Sequence, residues 1–196
     1  MKRVIIVHGW DGYPETNWFP WLKKELETRG FKVDVPQLPD ADSPRIYKWV
    51  PALAKTVGMP DEETFFVGHS MGCQAIARYL ETLPDDIIVG GAVFVAVFFK
   101  KLMNLEEDPD VQETGKHWLT TPIDLTKVRS HLKRSVAIFS DDDPWVPLDN
   151  QDDFKNKLGS EIIIEHEKGH FSSGESYQNK IYELPAALES VLKLSS

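Results

Sequence analysis

The sequence predicts an α/β domain built on a parallel sheet, and two observations carry that prediction. Short β-branched runs alternate along the chain with longer amphipathic runs. The short runs are also almost continuously apolar, as expected for parallel strands that helices cover on both faces. Repeated strand–helix–strand units of this kind are typical of a parallel sheet with right-handed crossovers.

Each predicted element follows from its local pattern. The predicted strands are Arg3–Val7, Lys32–Val35, Thr64–Val67, Ile88–Val97, Val136–Phe139 and Glu161–Glu165. The predicted helices are Trp18–Arg29, Pro44–Val57, Met71–Leu83, Asn150–Leu158 and Lys180–Leu194. Gly30 is a good helix stop and Ser43-Pro44 a good helix start, because glycine favours the position after a helix and proline its first turn.

Residues 98–134 interrupt the alternation, since they are mixed and polar and contain no clear strand. A connection of this length inside a compact domain is usually functional or mobile. We expect a small insertion over one end of the sheet, with one or two short helices. The 196 residues otherwise suit a single domain, 1–196.

Composition excludes several function classes. The net charge of −9 argues against nucleic acid, which is bound by clustered Lys and Arg, and the longest basic run is the pair Lys100-Lys101. The most apolar stretch, Ile87–Phe99, is shorter than the roughly 20 residues of a membrane span. The N-terminal apolar run is too short for a signal peptide, and one cysteine suits a reducing compartment. We expect a cytoplasmic protein without nucleic-acid or membrane partners, whose oligomeric state (monomer or dimer) stays open.

The motif G-H-S-M-G around Ser70 points to nucleophilic catalysis. An apolar run precedes Gly68 and a helical pattern follows Gly72, so the motif lies at a strand-to-helix junction. G-x-S-x-G in this context is a nucleophile elbow, whose tight turn leaves no room for side chains at the two glycines. The amide of Met71, at the start of the helix, would then be one donor of an oxyanion hole.

A serine nucleophile needs a base, and the base needs an acid. The segment after the fifth predicted strand offers Asp141, Asp142 and Asp143 as acids. The segment after the sixth offers His166 and His170 as bases. The spacing leaves these alternatives open. His69 adjoins Ser70 in sequence, so we expect it to support the site rather than to transfer the proton.

The chain resembles the α/β-hydrolase superfamily and, within it, the small YdeN-like, retinoblastoma-binding-protein-nine-like serine hydrolases. The matching stretches are V-I-I-V-H-G-W, N-W-F-P-W-L, V-G-H-S-M-G-C, S-D-D-D-P-W-V-P and K-G-H-F. The resemblance implies a three-layer α/β/α hydrolase fold with a central, mostly parallel six-stranded sheet of order 2-1-3-4-5-6 and a small cap insertion. It also implies Asp143 as the acid, His170 as the base and the Trp10 amide as the second oxyanion donor.

Pocket residues are the least defined part of this expectation. His8 and Gly9 would shape the loop that carries Trp10, close to the topological switch point of the sheet. Trp10, Trp118 and Trp145 could wall an apolar acyl pocket beside His69, because ligand sites are mostly hydrophobic. The Asp-rich stretches lack metal-binding spacing, so neither metal nor cofactor is expected.

The resemblance therefore implies a serine hydrolase that cleaves ester, thioester or amide bonds of small acyl substrates through an acyl-enzyme intermediate. Acyl transfer to another acceptor would use the same triad. The alternative hypothesis from a different functional class is a binding or scaffold protein that has kept the fold but does not turn over a substrate.

Overall fold

The computed structural model describes residues 1–174 and 180–196. Within these ranges the chain forms a six-stranded sheet of order β2-β1-β3-β4-β5-β6, in which every pair of neighbours is parallel. The strands are β1 (Arg3–Val7), β2 (Lys32–Asp34), β3 (Thr64–His69), β4 (Gly91–Val95), β5 (Ser135–Ser140) and β6 (Glu161–Glu165). The predicted fold class and strand order are confirmed.

Helices cover both faces of the sheet. They are α1 (Phe19–Glu27), α2 (Ile46–Val57), α3 (Met71–Glu81), α4 (Pro109–Thr120), α5 (Leu125–Ser130), α6 (Gln151–Asp153) and α7 (Pro185–Leu194). A 3₁₀ turn (Leu148–Asn150) precedes α6 and a π-helical turn (Phe154–Leu158) follows it. Alternate side chains of β1 supply the two cores: Val4 and Ile6 pack with α1 and α7, whereas Ile5 and Val7 pack with α2 and α3.

The strand order reverses at β1, which pairs with β2 on one side and with β3 on the other. The crossover from β1 to β2 and the crossover from β3 to β4 run in opposite directions across the sheet. The carboxyl ends of these two strands therefore flank a crevice, where open α/β sheets bind ligands. Ser70 follows β3 at this edge.

Most differences between predicted and observed bounds are one or two residues, but two predicted elements are longer than the observed ones by five residues each. The strand predicted over Ile88–Val97 is observed only over Gly91–Val95, and its carboxyl end is set by Ala96, which turns into the left-handed region with φ of 50°. The helix predicted from Lys180 begins at Pro185, whose ring suits the first turn.

The insertion (98–134), all of which is described, contains α4 and α5. Arg78 of α3 attaches the end of α4 to the domain. Its guanidinium donates to the carbonyl oxygens of Trp118, Thr121 and Pro122 at 3.1, 2.8 and 3.0 Å. These bonds satisfy carbonyl groups that a helix C-terminus leaves without intrahelical partners.

In the two described ranges, no helix is both long enough and apolar enough to span a bilayer.

Candidate active site

Ser70 lies between the end of β3 and the first residue of α3. Its backbone has φ of 51° and ψ of −119°, a conformation that few residues with a side chain adopt. Two hydrogen bonds hold the turn: the Ser70 amide donates to Val95 O at 2.8 Å, and the Cys73 amide donates to Ser70 O at 3.0 Å. The hydroxyl-bearing side chain is thereby directed to the carboxyl edge of the sheet.

The two glycines of the motif occupy positions without space for a side chain. A Cβ at Gly72 would lie 2.3 Å from the carbonyl oxygen of His8, and one at Gly68 would lie 2.8 Å from Cys73 Cα. Real Cβ atoms do not approach other atoms so closely, so neither position accepts alanine without movement of the backbone. The geometry is that of a nucleophile elbow.

Asp143 and His170 form a buried pair on the loops after β5 and β6. His170 Nδ1 lies 2.8 Å from Asp143 Oδ2. The other carboxylate oxygen accepts the amides of Trp145 and Val146 at 2.9 and 3.0 Å, which fixes the carboxylate plane. Because the carboxylate accepts, Nδ1 carries the proton and Nε2 of His170 is the nitrogen available for proton transfer.

The other two aspartates of the D-D-D run bind the backbone of the loop that carries His170. Asp141 accepts the Glu167 amide at 3.1 Å and pairs with His166, whose side chain is 87% exposed. Asp142 accepts the Gly169 amide at 2.7 Å. Both carboxylates thus position the His170 loop, and His166 lies outside the cavity described below.

His69 is buried between the nucleophile turn and the His170 loop. Its Nε2 donates to the backbone carbonyl of His170 at 2.7 Å, and the two ring centroids are 5.0 Å apart. Burial, together with the nearby His170, lowers the pKa of His69 to about 3. A neutral ring that is committed to a backbone carbonyl is suited to support rather than to proton transfer.

The loop after β1 approaches Ser70 closely. A Cβ at Gly9 would lie 3.1 Å from both Ser70 Cβ and the carbonyl oxygen of His69. The next residue, Trp10, fixes its indole by donating Nε1–H to Asp42 O at 2.9 Å. Among the described residues, the backbone amides of Trp10 and Met71 donate to no protein group. Both amides are therefore available to a ligand beside Ser70.

His8 lies behind this loop and not in the cavity, which corrects the expectation that it is a pocket residue. Its Nε2 accepts the Leu38 amide at 2.9 Å, so Nδ1 carries the proton and donates to Gly9 O at 2.8 Å. The ring is fully buried against Trp49, and burial lowers the pKa of His8. His8 remains neutral and holds the shape of the loop.

A cavity of about 670 Å³ opens above Ser70. Its volume is within the range of small-molecule sites. Most of its lining comes from four parts of the chain: the elbow, the Trp10 loop, the insertion and the His170 loop. The lining residues are Gly9, Trp10, Asp11, Gly12, Thr16, Asn17, Asp42, His69, Ser70, Met71, Phe98, Leu102, Leu105, Glu106, Val111, Trp145, His170, Ser172, Ser173 and Gly174.

The cavity brings together most of the residues proposed from sequence; Asp143 is buried beside His170 and does not line it, and Trp118 is a further exception. Trp118 is fully buried in the core beside Trp49, and its indole donates to Pro44 O at 2.9 Å. A buried indole with a satisfied N–H is a packing residue. Trp118 therefore anchors α4 and does not line the cavity. Trp145 does line it, edge-on to the His170 ring at 5.0 Å.

Two groups of lining residues were not identified from sequence. One is polar and comes from the residues before α1 and after His170; the other is apolar and comes from the insertion. Asn17 had a weak signal, because it precedes the W-F-P stretch and asparagine tolerates a positive φ, here 55°. The leucines of the insertion had no signal that separates a cavity wall from a core contact.

In residues 1–174 and 180–196, no three His, Cys, Asp or Glu side chains are grouped so that they could hold a metal ion. The site itself supplies an oriented serine, a carboxylate-bound histidine and two amide donors.

Comparison with known proteins places this arrangement in a family. The family model described as serine hydrolase matches residues 4–185. The hydrolase YdeN of Bacillus subtilis is 31% identical over 176 residues, covering 90% of this chain and 89% of its own. The serine hydrolase RBBP9 of Rattus norvegicus is 26% identical over 179 residues, with 90% of each chain covered.

The crystal structure of the B. subtilis ydeN gene product superposes with a TM-score of 0.86 at 29% identity, covering 99% of this chain and 98% of that one. The match extends over the sheet, both helical layers and the insertion. The resemblance stated from motifs is thereby confirmed, and the chain belongs to the serine hydrolase family, as an enzyme of the hydrolase type with an α/β-hydrolase fold.

Proposed function

We propose that this enzyme hydrolyses carboxylic esters through an acyl-enzyme intermediate, with Ser70 as nucleophile, His170 as base and Asp143 as acid. The observation that carries the proposal is the buried 2.8 Å contact between His170 Nδ1 and Asp143 Oδ2, on a histidine that lines the same cavity as Ser70. An aspartate in this position holds the imidazole in the correct tautomer and stabilises the imidazolium.

In the first half-reaction, His170 Nε2 takes the hydroxyl proton while Ser70 Oγ bonds to the acyl carbon. The carbonyl oxygen becomes an oxyanion, which the amides of Trp10 and Met71 stabilise. When the intermediate collapses, the bond to the leaving group breaks and His170 gives its proton to the departing oxygen. In the second half-reaction water replaces the alcohol, which releases the acid and restores Ser70.

Short acyl groups fit the site best. The apolar part of the lining, from Phe98, Leu102, Leu105 and Val111, is suited to an aliphatic chain. We expect turnover of p-nitrophenyl acetate and butyrate. Thioesters and amides pass through the same intermediate and belong to the same proposal, with amides slower because the amine is the poorer leaving group.

The test uses a fluorophosphonate probe and p-nitrophenyl butyrate. Wild type is expected to be labelled and to turn over the ester. Ser70→Ala is expected to lose labelling and at least about 10³-fold in kcat, because a triad member acts only with its partners.

Ser130→Ala, an equal change at an exposed serine of α5, is the control and keeps both activities. Folded wild type that is neither labelled nor active, or Ser70→Ala that retains turnover, would refute the proposal. Product analysis with added alcohols separates hydrolysis from acyl transfer.

A further inference from the structure

The cavity over Ser70 has two chemically different walls. The polar wall consists of Thr16, Asn17, Ser172 and Ser173. The apolar wall consists of Phe98, Leu102, Leu105, Val111 and Trp145. A substrate that fills the cavity therefore contacts both apolar and polar groups.

The polar wall is continuous with the loop that carries His170. Ser172 Oγ donates to the backbone carbonyl of His170 at 3.3 Å. The Ser173 amide and hydroxyl both donate to Asn17 Oδ1, at 2.8 and 3.0 Å. The Asn17 amide in return donates to Ser173 Oγ at 3.1 Å. These contacts fix Asn17 beside the proposed base.

The same hydrogen bonds orient the Asn17 side chain. Its oxygen must face Ser173, because it accepts two donors there. Its Nδ2 consequently points away from Ser173, and in residues 1–174 and 180–196 no group accepts from it. A half-buried carboxamide thus lines the cavity with its acceptor occupied and two N–H donors available.

The apolar wall is held by the loop that carries Asp143. The Met103 amide donates to Trp145 O at 2.8 Å, and Asn104 Nδ2 donates to Pro144 O at 2.7 Å. These two bonds place Leu102 and Leu105 next to Trp145. Hydrogen bonds to the Asp143 loop therefore hold the segment that carries these two leucines.

Proton transfer decides which part of the substrate meets which wall. His170 must protonate the leaving oxygen, so the leaving group has to lie on the side of the His170 loop. We infer that the substrate is an ester of an oxygenated alcohol, such as a polyol. This inference rests on the serine-hydrolase function proposed above. An ether or hydroxyl oxygen of that alcohol accepts a hydrogen bond from Asn17 Nδ2, and the acyl chain lies on the apolar wall.

Wild-type enzyme tests this with two butyrate esters of nearly equal shape. The 2-methoxyethyl ester has an oxygen where the butyl ester has a methylene, and an ether oxygen can only accept. We expect kcat/KM for the methoxyethyl ester to exceed that for the butyl ester by about three- to tenfold, after division by their ratio in alkaline hydrolysis. A corrected ratio near one would overturn the inference.

Asn17→Asp identifies the donor. The aspartate keeps an acceptor for Ser173 and tolerates the positive φ, but it replaces Nδ2 with a second acceptor. The corrected ratio is expected to fall to one or below, while the 2-hydroxyethyl ester, whose hydroxyl can donate to the new carboxylate, is expected to be preferred over the butyl ester by this variant. Asn156→Asp, the same change at an exposed residue far from the cavity, is expected to keep the wild-type ratio.

Asn17→Gly is the second variant, because glycine accepts this backbone conformation and removes the whole carboxamide. Its corrected ratio is expected to be near one. If Asn17→Asp does not fold, Asn17→Gly alone tests whether Asn17 is the donor. A ratio of wild-type size in either folded variant would contradict the role of Asn17.

Fluorophosphonate labelling separates this inference from the proposed function. A wild type that is labelled and hydrolyses p-nitrophenyl butyrate, yet shows no methoxyethyl preference, refutes the Asn17 subsite and leaves the triad intact. A wild type that is not labelled refutes the proposed function itself.

Discussion

Ser70 is held in a backbone conformation that costs about 1–3 kcal/mol for a residue with a side chain. Its φ of 51° is maintained by the hydrogen bonds to Val95 and from Cys73, and by the absence of side chains at Gly68 and Gly72. Such strain persists only where surrounding structure over-determines it. At Ser70 it directs the hydroxyl to the cavity rather than into the helix.

His69 makes the stability of the protein depend on pH. Its pKa is about 3 in the folded protein, mainly because of burial, and about 6.5 in an unfolded chain. Below pH 6.5 the unfolded chain binds more protons, so stability falls as pH falls from 6.5 towards 3. This residue alone adds a slope of at most about 1.4 kcal/mol per pH unit.

His69→Gln removes that titration and keeps a side-chain N–H for the carbonyl of His170. We expect its free energy of unfolding, from urea titrations at pH 8, 6, 5 and 4, to fall less steeply with acid than that of wild type. At pH 8, where His69 is neutral in both the folded and the unfolded state, the difference in unfolding free energy between the two proteins measures the effect of the substitution on packing. Parallel curves below pH 6 would rule out this role of His69.

The candidate site could be predicted from sequence to the extent that local turn chemistry determined it. The elbow was evident because two glycines around a serine at a strand–helix junction have few other causes. The choice of Asp143 over Asp141 and Asp142 required family resemblance, since all three carboxylates lie within reach of the His170 loop. Only the fold shows that two of them bind its backbone amides and one binds the imidazole.

At the scale of elements, the insertion (98–134) supplies most of the apolar wall, and hydrogen bonds attach it to α3. Arg78 binds the end of α4, and Trp118 fills the core beneath it. Gly115 of α4 packs against Leu105, because a Cβ there would lie 2.6 Å from Leu105 Cδ1. Leu105 is therefore pressed between α4 and the cavity.

Leu105→Ala should lengthen the acyl chain that the enzyme prefers. The space vacated by the leucine would accept further methylenes, each worth about 0.8 kcal/mol, or about fourfold in kcat/KM. With p-nitrophenyl esters from acetate to octanoate, we expect the maximum to move by one or two carbons towards longer chains. Keeping the leaving group constant confines the change to the acyl side.

Leu119→Ala is the matched control, because Leu119 is half-buried on α4 but does not line the cavity. It is expected to reduce stability without moving the chain-length maximum. An unchanged profile for Leu105→Ala, or an equal shift for Leu119→Ala, would contradict the assignment of the apolar wall.

More of the regular α/β domain than of the insertion could be predicted from the sequence. Strand periodicity and helix stops act locally, so most elements begin and end close to the predicted residues. The left-handed turn at Ala96 and the face on which Trp118 lies depend on tertiary contacts. A tryptophan in a polar segment has the same local pattern whether it enters the core or a pocket.

The whole molecule has a net charge of −9, and the lining of the candidate active site is also negatively charged. Asp11, Asp42 and Glu106 line the cavity, and among the described lining residues there is no lysine or arginine. A negative potential in a cleft lowers the local concentration of anions. For the ester hydrolysis proposed above, we therefore expect this charge distribution to disfavour acyl groups that end in a carboxylate.

We expect the p-nitrophenyl monoester of glutaric acid to have a kcat/KM about three- to tenfold below that of p-nitrophenyl pentanoate at 10 mM salt. The gap should narrow at 150 mM salt, because the Debye length falls from about 30 to about 8 Å. Asp11→Asn should narrow it at low salt as well, and asparagine suits the φ of 54° at this position.

Asp110→Asn removes the same charge from α4, outside the cavity, and is expected to leave the gap close to that of wild type. A gap that does not respond to salt would indicate a steric rather than an electrostatic cause.

The bonds that fix the His170 loop also bear on the order in which activity arises during synthesis. His69, Trp18 and Asn17 hold this loop across sequence separations of 101, 153 and 156 residues. A ribosome-bound chain that ends before residue 166 contains the elbow and Asp143 but neither His170 nor its loop. In the mechanism proposed above, Ser70 therefore remains unactivated until the His170 loop has been synthesised and has docked against the residues before α1.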